Sequence, residues 1–599
     1  MIIVGISALF HDSACAVVID GRPVAAAHEE RFTRRRYDRS MPVNAFRSCL
    51  LDAGIDISDV DCVAYYEDPV AKLSRQLWAG VANHASEPLL EFDWTAAGMP
   101  RLHGQSLAQL DAARPRREIR ELLGFEGPVH TFTHHESHAA SAFYCSGFRE
   151  AALFTADAVG EWTTTSYGHA DDSGLKLLEE VAFPHSLGLF YSALTSYLGF
   201  AVNSDEYKVM ALASAGKPRF ADRMRQMLRN GPGGGFELEP SYFSFDGSDR
   251  MFTPAVAELL GMPPREPESD MDAFHEDVAA SMQTVLEEVL LDKLKHLHEL
   301  TGSDSLVYAG GVALNCVANS RIRRDGPFRD LFVQPASGDS GGALGAALLC
   351  HHRLTGSFQP APLLDARLGP RYDIRHVRDC LVRAGVPHRD FAGDEAGLLS
   401  ATAELLAQGA VVGWYQGRME YGPRALGARS IIADPRDARM RDHINALVKK
   451  REAFRPFAPA VPEERCAEFF ERDLPAPFML ETAQVRHAAE LPAITHVDGS
   501  ARVQTVNRDV DPRFHGLLTE FGRRTGYPIL LNTSFNMRGE PIVCDASDAL
   551  ACFVRCRIDV LVLEDLIILR EDTPASWAIA EAAIPRHPPV SRSDSYTFF

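Results

Sequence analysis

His134 and His138 stand four residues apart in HHESHAASAF. That spacing puts both imidazoles on one face of a helix, where a pair can bind a single cation or simply line a packed surface. A zinc-peptidase H-E-x-x-H does not fit, because His135-Glu136 is followed by Ala139 at the position that needs the second His. Glu136 would point away from the His134/His138 pair, so it is not expected to act as a base there. Asp157 in TADAVGEW and Asp339 in PASGDSGGALGAA are candidates for the remaining ligands. For Asp339, helix capping is the competing explanation. Two His and two Asp suit Fe(II), Mn(II) or Zn(II), and ligand softness does not choose among them.

A second group is cationic. Arg418, Arg424 and Arg429 fall in GRMEYGPRALGARS, Lys449 and Arg451 form K-x-R in VKKREAFRPFAP, Arg455 follows, and Arg502 lies in ARVQTV. Ser534 and Asn536 form S-x-N in LLNTSFNMRGE, just past an apolar run. Cations among glycines and prolines, beside a hydroxyl and an amide, suit a phosphate or phosphoanhydride. The alternative is a solvated basic surface.

These residues need elements to place them. The first 30 residues read strand, turn, strand, turn, strand, with Asp20-Gly21 as a hairpin signal. A similar plan recurs at 151–180, opening on Ala152–Ala156 and an acidic turn through Asp157 and Gly160. This suggests a duplicated fold of the actin-like ATPase kind. Ala273–Leu300 reads as an amphipathic helix stopped by Gly302, then Ser305–Ala309 as a strand, Gly310-Gly311 as a turn and a helix from near Val312. Leu331–Gln334 is a further strand, and Gly341–His351 a helix of small residues. Thr355–Arg371, rich in Pro, Gly and Ala, reads as a linker. Beyond it, strands are expected at Val411–Tyr415, Ser430–Ala433, Pro528–Asn532 and Val560–Leu563. The expected division is 1–354, a linker at 355–371, a second domain at 372–572 and a tail at 573–599, with Pro and Ser clusters.

The totals are those of a soluble globular protein. At 599 residues, 46% apolar and 24% charged, the chain is too long for one ordinary core. A net charge of −20 argues against nucleic acid or an anionic membrane as partner, though not against a local basic pocket. The 11 cysteines include no C-x-x-C and read as reduced, buried thiols of a cytoplasmic protein. No apolar run is long enough to span a membrane, and the start does not read as a secretory signal.

Taken in order, GISALFHDSACAVVIDG, AHEERFTRRRYD, THHESHAASAF, PHSLGLFYSALTSYLGF, DEYKVMALASAG, AGGVALNCVAN, SGDSGGALGAA, EYGPRALGARSIIADPR, KKREAFRPFAP and LLNTSFN resemble the NodU/CmcH carbamoyltransferase family, and within it the antibiotic O-carbamoyltransferases. The resemblance runs from residue 3 to about residue 540. It implies an α/β protein: a duplicated actin-like (ASKHA, TsaD-like) N-terminal domain and a YrdC-like C-terminal domain that carries K-x-R and S-x-N. It implies that the second domain makes carbamoyladenylate from carbamoyl phosphate and ATP, with Mg(II), and that the first moves the carbamoyl group to an acceptor hydroxyl. It implies Fe(II) on His134, His138, Asp157 and Asp339. On this reading Lys449, Arg424, Arg455 and Arg502 hold phosphate oxygens, and Arg451, Ser534 and Asn536 complete the pocket. Gly310, Gly311 and Asn315 line a nucleotide cleft. His11, beside Asp12, is the candidate general base, with phosphate contact as the alternative. The expected acceptor is a small natural product such as an aminoglycoside or macrolide. The competing classes are a sugar or acetate kinase, a tRNA-modifying enzyme and a non-enzymatic regulator; a homodimer is open.

Overall fold

The computed structural model describes residues 1–84, 101–102, 105–106, 111–245, 250–358, 360–449, 455 and 457–577. The described chain forms two compact units. One comprises Met1–Glu29 and Tyr37–Leu363, the other Glu30–Arg36 and the described residues from Leu364 onward. Most of the expected tail lies outside the described residues.

The first unit contains the same sheet twice. Strands β1 (Ile2–Ser7), β2 (Ala14–Ile19) and β3 (Arg22–His28) form an antiparallel meander, and β4 (Cys62–Tyr65) and β5 (Val129–Thr131) extend it in parallel on the other side of β1. The order is β3-β2-β1-β4-β5. Strands β6 (Ala151–Ala156), β7 (Thr163–Asp171), β8 (Gly174–Ala182), β9 (Ser305–Ala309) and β10 (Asp330–Val333) repeat that order and those senses as β8-β7-β6-β9-β10. The β-branched and apolar runs of β1, β2, β6 and β9 are almost wholly buried, as strands covered on both faces require.

Each repeat sends a helix from its last strand. Helix α1 (His134–Ser146) follows β5 and is opened by a capping box between Thr133 and Glu136. Helix α2 (Ala273–Thr301) starts at Asp272, which accepts from Phe274 and His275 N–H, and ends at Gly302. Between β9 and the next helix the expectation needs correcting. A short 3₁₀ turn, Gly311–Leu314, intervenes, and helix α3 (Cys316–Asp325) starts only after Asn315, whose side chain accepts from Ala318 N–H. Helix α4 (Asp339–Thr355) follows β10 and packs on α1. A Cβ on Gly345 would lie 1.9 Å from the Ser137 carbonyl oxygen, so only glycine allows the two helices to come this close.

The second unit is built on one eight-stranded mixed sheet. Its strands are β11 (Arg389–Asp390), β12 (Val412–Tyr415), β13 (Arg429–Ala433), β14 (Ala458–Pro462), β15 (Gln504–Val506), β16 (Leu530–Ser534), β17 (Val560–Leu563) and β18 (Leu566–Leu569), in the order β11-β18-β17-β12-β13-β16-β14-β15. Alternate residues feed two cores: Trp414, Ile432, Leu530 and Val562 on one face, Tyr415, Ile431, Leu531 and Leu561 on the other. Helices α5 (Glu395–Ala407) and α6 (Pro512–Thr525) cover the first face, and α7 (Ala546–Arg555) the second. The four strands expected here are present, with β16 running two residues beyond its expected end. The ten cysteines whose side chains are described are buried, and none of them forms a disulfide.

Candidate functional site

The duplication decides which residues meet in the first unit. His134 and His138 stand on α1, which follows the last strand of the first repeat. Asp339 opens α4, which follows the last strand of the second. Asp157 leaves β6, the first strand of the second repeat, as the His11-Asp12 turn follows β1, the first strand of the first. Equivalent positions of the two repeats thus supply the histidines and Asp339, the second repeat alone adds Asp157, and the close packing of α1 on α4 brings them together.

His134 Nε2 and His138 Nε2 are 3.0 Å apart. Asp157 Oδ2 lies 3.2 Å from the first and 3.0 Å from the second. Asp339 Oδ1 lies 3.5 and 3.8 Å away. All four side chains are buried. Ligands at about 2.1 Å from one ion have neighbours at ~3.0 Å in an octahedron and ~3.4 Å in a tetrahedron, which these separations bracket.

The electrostatics also fit a cation. Burial pushes the Asp157 carboxyl up, but its hydrogen bonds to the two histidines outweigh this and hold it well below the usual carboxylate range. Asp339 moves the other way, pushed well above that range by burial and then by the Asp157 charge. Its Oδ2 is buried with no hydrogen-bond partner. A divalent cation between the two carboxylates removes this conflict. The capping alternative for Asp339 fails, because the N-cap of α4 is Gly338 and no side chain caps that helix.

Backbone groups aim Asp157. Its Oδ1 accepts from Ala158 N–H at 2.8 Å and Gly311 N–H at 3.2 Å, leaving Oδ2 to face the histidines. Gly310 has φ +97°, and a Cβ there would sit 2.2 Å from the Ala156 carbonyl oxygen. Both glycines are therefore required by their approach to β6 and Asp157, whatever else lines that cleft. Asn315 is likewise occupied: besides capping α3, it exchanges amide hydrogen bonds with Gln283 at 2.9 and 3.1 Å.

Glu136 is not at the cluster, since its carboxylate caps α1 and pairs with Arg353. His135 bonds Thr155 Oγ1 at 2.6 Å, and burial holds it well below its ordinary value, as a neutral core histidine. One contributor went unread in the sequence. Glu161 accepts from His134 N–H at 2.9 Å and Asp68 N–H at 2.6 Å, tying the start of α1 to the 157–161 turn. Burial pushes its carboxyl up to about 7. Nothing in TADAVGEW except an acid four residues after Asp157 marks it.

His11 Nδ1 lies 3.2 Å from Asp12 Oδ2, and its ring stacks on Tyr37. Burial lowers its pKa, but Asp12, Asp339 and Glu206 outweigh that and lift it to about 9. At neutral pH the ring is mostly protonated, so only a deprotonated minority can act as a base.

In the second unit the sheet register collects the cationic group. Ser430 pairs with Ser534 across β13 and β16, Ala458 with Asn532 across β14 and β16, and Ala460 with Gln504 across β14 and β15. The starts of β13 and β14, the end of β16 and the start of β15 are therefore at one end of the sheet. Arg424, in the loop before β13, Arg455, before β14, Arg502, before β15, and Ser534-Asn536 share that end. Ser534 Oγ donates to Asn536 Oδ1 at 2.7 Å. Glu420 Oε1 accepts from Leu426, Ala428 and Arg429 N–H at 2.7, 2.8 and 3.2 Å, folding the Arg424 loop around one carboxylate.

Two arginines leave the group. Arg429 is fully buried over the Tyr415 ring, and its guanidinium bonds the carbonyls of Gln416, Gly417, Ala428 and Cys544. Arg418 bonds the carbonyls of Leu368 and Gly369. Both hold the backbone. The Lys449 side chain and Arg451 lie outside the described residues.

Two family models match the chain. The family model for the carbamoyltransferase N-terminus matches residues 2–348, and that for the carbamoyltransferase C-terminus matches 403–570. An uncharacterised Synechocystis protein is 43% identical over 96% of this chain and 97% of its own length. The nodulation protein NolNO of Sinorhizobium fredii is 37% identical over 98% of this chain and 83% of its own. The 3'-hydroxymethylcephem-O-carbamoyltransferase of Amycolatopsis lactamdurans is 39% identical over 44% of this chain and 49% of its own. Among solved structures, HypF of T. kodakarensis overlaps 60% of this chain and 48% of its own at 12% identity and a TM-score of 0.31, too little to bear on fold or activity. The chain belongs to the NodU/CmcH family of carbamoyltransferases and is a carbamoyltransferase enzyme.

Proposed function

We propose that this carbamoyltransferase works in two steps. The second, YrdC-like unit hydrolyses carbamoyl phosphate with water to carbamate and inorganic phosphate, then joins a carbamate oxygen to the α-phosphate of ATP with loss of pyrophosphate. The first, actin-like unit passes the carbamoyl group of carbamoyladenylate to a hydroxyl of a small natural product and releases AMP. The observation that carries this reading is the convergence of His134, His138, Asp157 and Asp339 on one buried point. The repeated sheet order supports the actin-like reading. The O-carbamoyltransferase activity named for the cephem relative supports a hydroxyl acceptor.

Carbamate resists nucleophiles because nitrogen and oxygen lone pairs both feed its carbonyl. Adenylation supplies the leaving group, and in its transition state the negative charge needs preorganised cations. Arg424, Arg455 and Arg502 would hold phosphate oxygens at the sheet end, Lys449 and Arg451 would share that role, and Ser534 and Asn536 would orient the nucleotide or the carbamoyl group. Glu420 fixes the loop that carries Arg424.

In the first unit, His134, His138, Asp157 and Asp339 would hold a divalent cation. Fe(II) is the ion the family resemblance implies, and when bound it supplies Lewis-acid polarisation of a phosphate oxygen. Asp157 is oriented for this by Ala158 and Gly311 N–H. His11, once deprotonated, would take the proton of the attacking hydroxyl, with Asp12 holding its other nitrogen.

The test incubates enzyme, ATP, carbamoyl phosphate and Fe(II) with a panel of hydroxylated aminoglycosides, macrolides and cephems. A gain of one carbamoyl mass on one class, with AMP and pyrophosphate formed, is expected. Formation of ADP without carbamoylation would refute the reading.

A further inference from the structure

The first unit holds a second convergence of metal-binding side chains, formed by Cys62 on β4, His130 on β5 and Cys350 on α4. The register explains it. Ala64 pairs with His130, so Cys62, two residues before Ala64, presents its side chain on the same face of the sheet as His130. Helix α4 packs over β4 and brings Cys350 onto that face. The three donor atoms all lie within 4.8 Å of one another. Both cysteines are buried, and His130 is half-buried, open enough for an ion to enter.

We propose that Cys62, Cys350 and His130 form a second metal site, for a thiophilic ion of the Zn(II) class, at the far end of the helix that carries Asp339. The two sulfurs are 3.8 Å apart. Thiolates at about 2.3 Å from a tetrahedral zinc are separated by ~3.8 Å, so the pair needs no rearrangement to share an ion. A disulfide would require the sulfurs to close to ~2.05 Å. Two sulfurs and one imidazole are soft to borderline donors, whereas the first cluster offers two imidazoles and two carboxylates, so the sites select different ions. Cys350 stands eleven residues after Asp339 on α4, roughly 16 Å along the helix at ~1.5 Å per residue. An ion there would pin the C-terminal half of α4 to β4 and β5, fixing the helix whose first residue serves the catalytic cluster.

Co(II) separates the two sites, because only thiolate ligands produce a sulfur-to-cobalt charge-transfer absorption in the near ultraviolet. The full-length His138→Ala protein, with the first cluster disabled, is titrated anaerobically with Co(II). Binding of one ion with that absorption is expected. On the same background Cys62→Ser and Cys350→Ser should abolish the band, and His130→Ala should weaken binding by at least the ~10-fold that loss of even an outer partner costs. Because His130 is the least buried of the three, its variant remains informative if the serine variants fold poorly. No charge-transfer band in His138→Ala, or a band undiminished in His130→Ala, overturns the proposal. So does recovery of a Cys62–Cys350 disulfide from freshly purified protein that takes up no cobalt.

Discussion

His138 and His11 carry the most specific consequences of the site. His138→Ala removes one of four converging donors and leaves Asp339 and Asp157 without a full counter-charge set. Carbamoyl transfer should fall by at least ~100-fold, the scale of losing Lewis-acid assistance worth several kcal/mol. Pyrophosphate release from ATP and carbamoyl phosphate should persist; loss of both in a folded protein would refute the division of labour. His11 makes a pH prediction. Its pKa is raised to about 9, so the ring is charged below that value and becomes a base only as pH rises through it. If His11 is the base, kcat/KM for the acceptor climbs about tenfold per pH unit and levels near pH 9. The opposite trend, a loss of activity as the pH passes 9, would assign the ring to holding phosphate. Comparison with His11→Asn isolates its contribution.

At the scale of elements, the sites depend on two close fits. Helices α1 and α4 meet where Gly345 faces the Ser137 carbonyl, and an added methyl would lie 1.9 Å from that oxygen. Gly345→Ala should force the helices apart and carry Asp339 away from the histidines. The expected result is a lost capacity to bind a divalent metal and a lowered Tm, read by metal analysis and thermal unfolding. Retention of full metal content would show that α4 reaches the cluster independently of this contact. In the other unit, Glu420→Ala leaves the buried N–H groups of Ala428 and Arg429 and the partly buried one of Leu426 without this acceptor, the buried ones costing ~1–3 kcal/mol each. Adenylate formation should drop with stability, while transfer from supplied carbamoyladenylate continues. Glu420→Gln, which keeps one acceptor oxygen, should recover part of both.

Across the whole molecule, the proposed function divides the chemistry between the two units. Arg424→Ala should block pyrophosphate release yet leave transfer from added carbamoyladenylate intact, and normal turnover of carbamoyl phosphate would remove Arg424 from the pocket. The net charge of −20 sets a second expectation. Fluorescence anisotropy should detect no tRNA binding at physiological salt, since a strongly acidic surface repels a polyanion; binding would favour a tRNA-modifying role.

Legibility followed the range of the interaction concerned. Strands β1, β6, β9 and β17 and helix α2 were plain in the chain because apolar runs, turn residues and caps act within a few residues of one another. The i, i+4 histidines were plain for the same reason. That Asp339 serves the cluster and not a cap was open in the sequence, because a helix-opening Asp reads the same in both roles. Only the packing of α1 on α4 decided it, by burying an Asp339 oxygen that no cap bond satisfies. Charge and spacing alone place Arg418 and Arg429 in the same cationic group as Arg424, because they do not reveal where a guanidinium points. The tertiary structure turned those two onto backbone carbonyls. Composition and local pattern determined two α/β units with a metal-type motif and an anion-type motif. Burial and long-range pairing, which depend on residues hundreds of positions apart, decided which side chains those motifs employ.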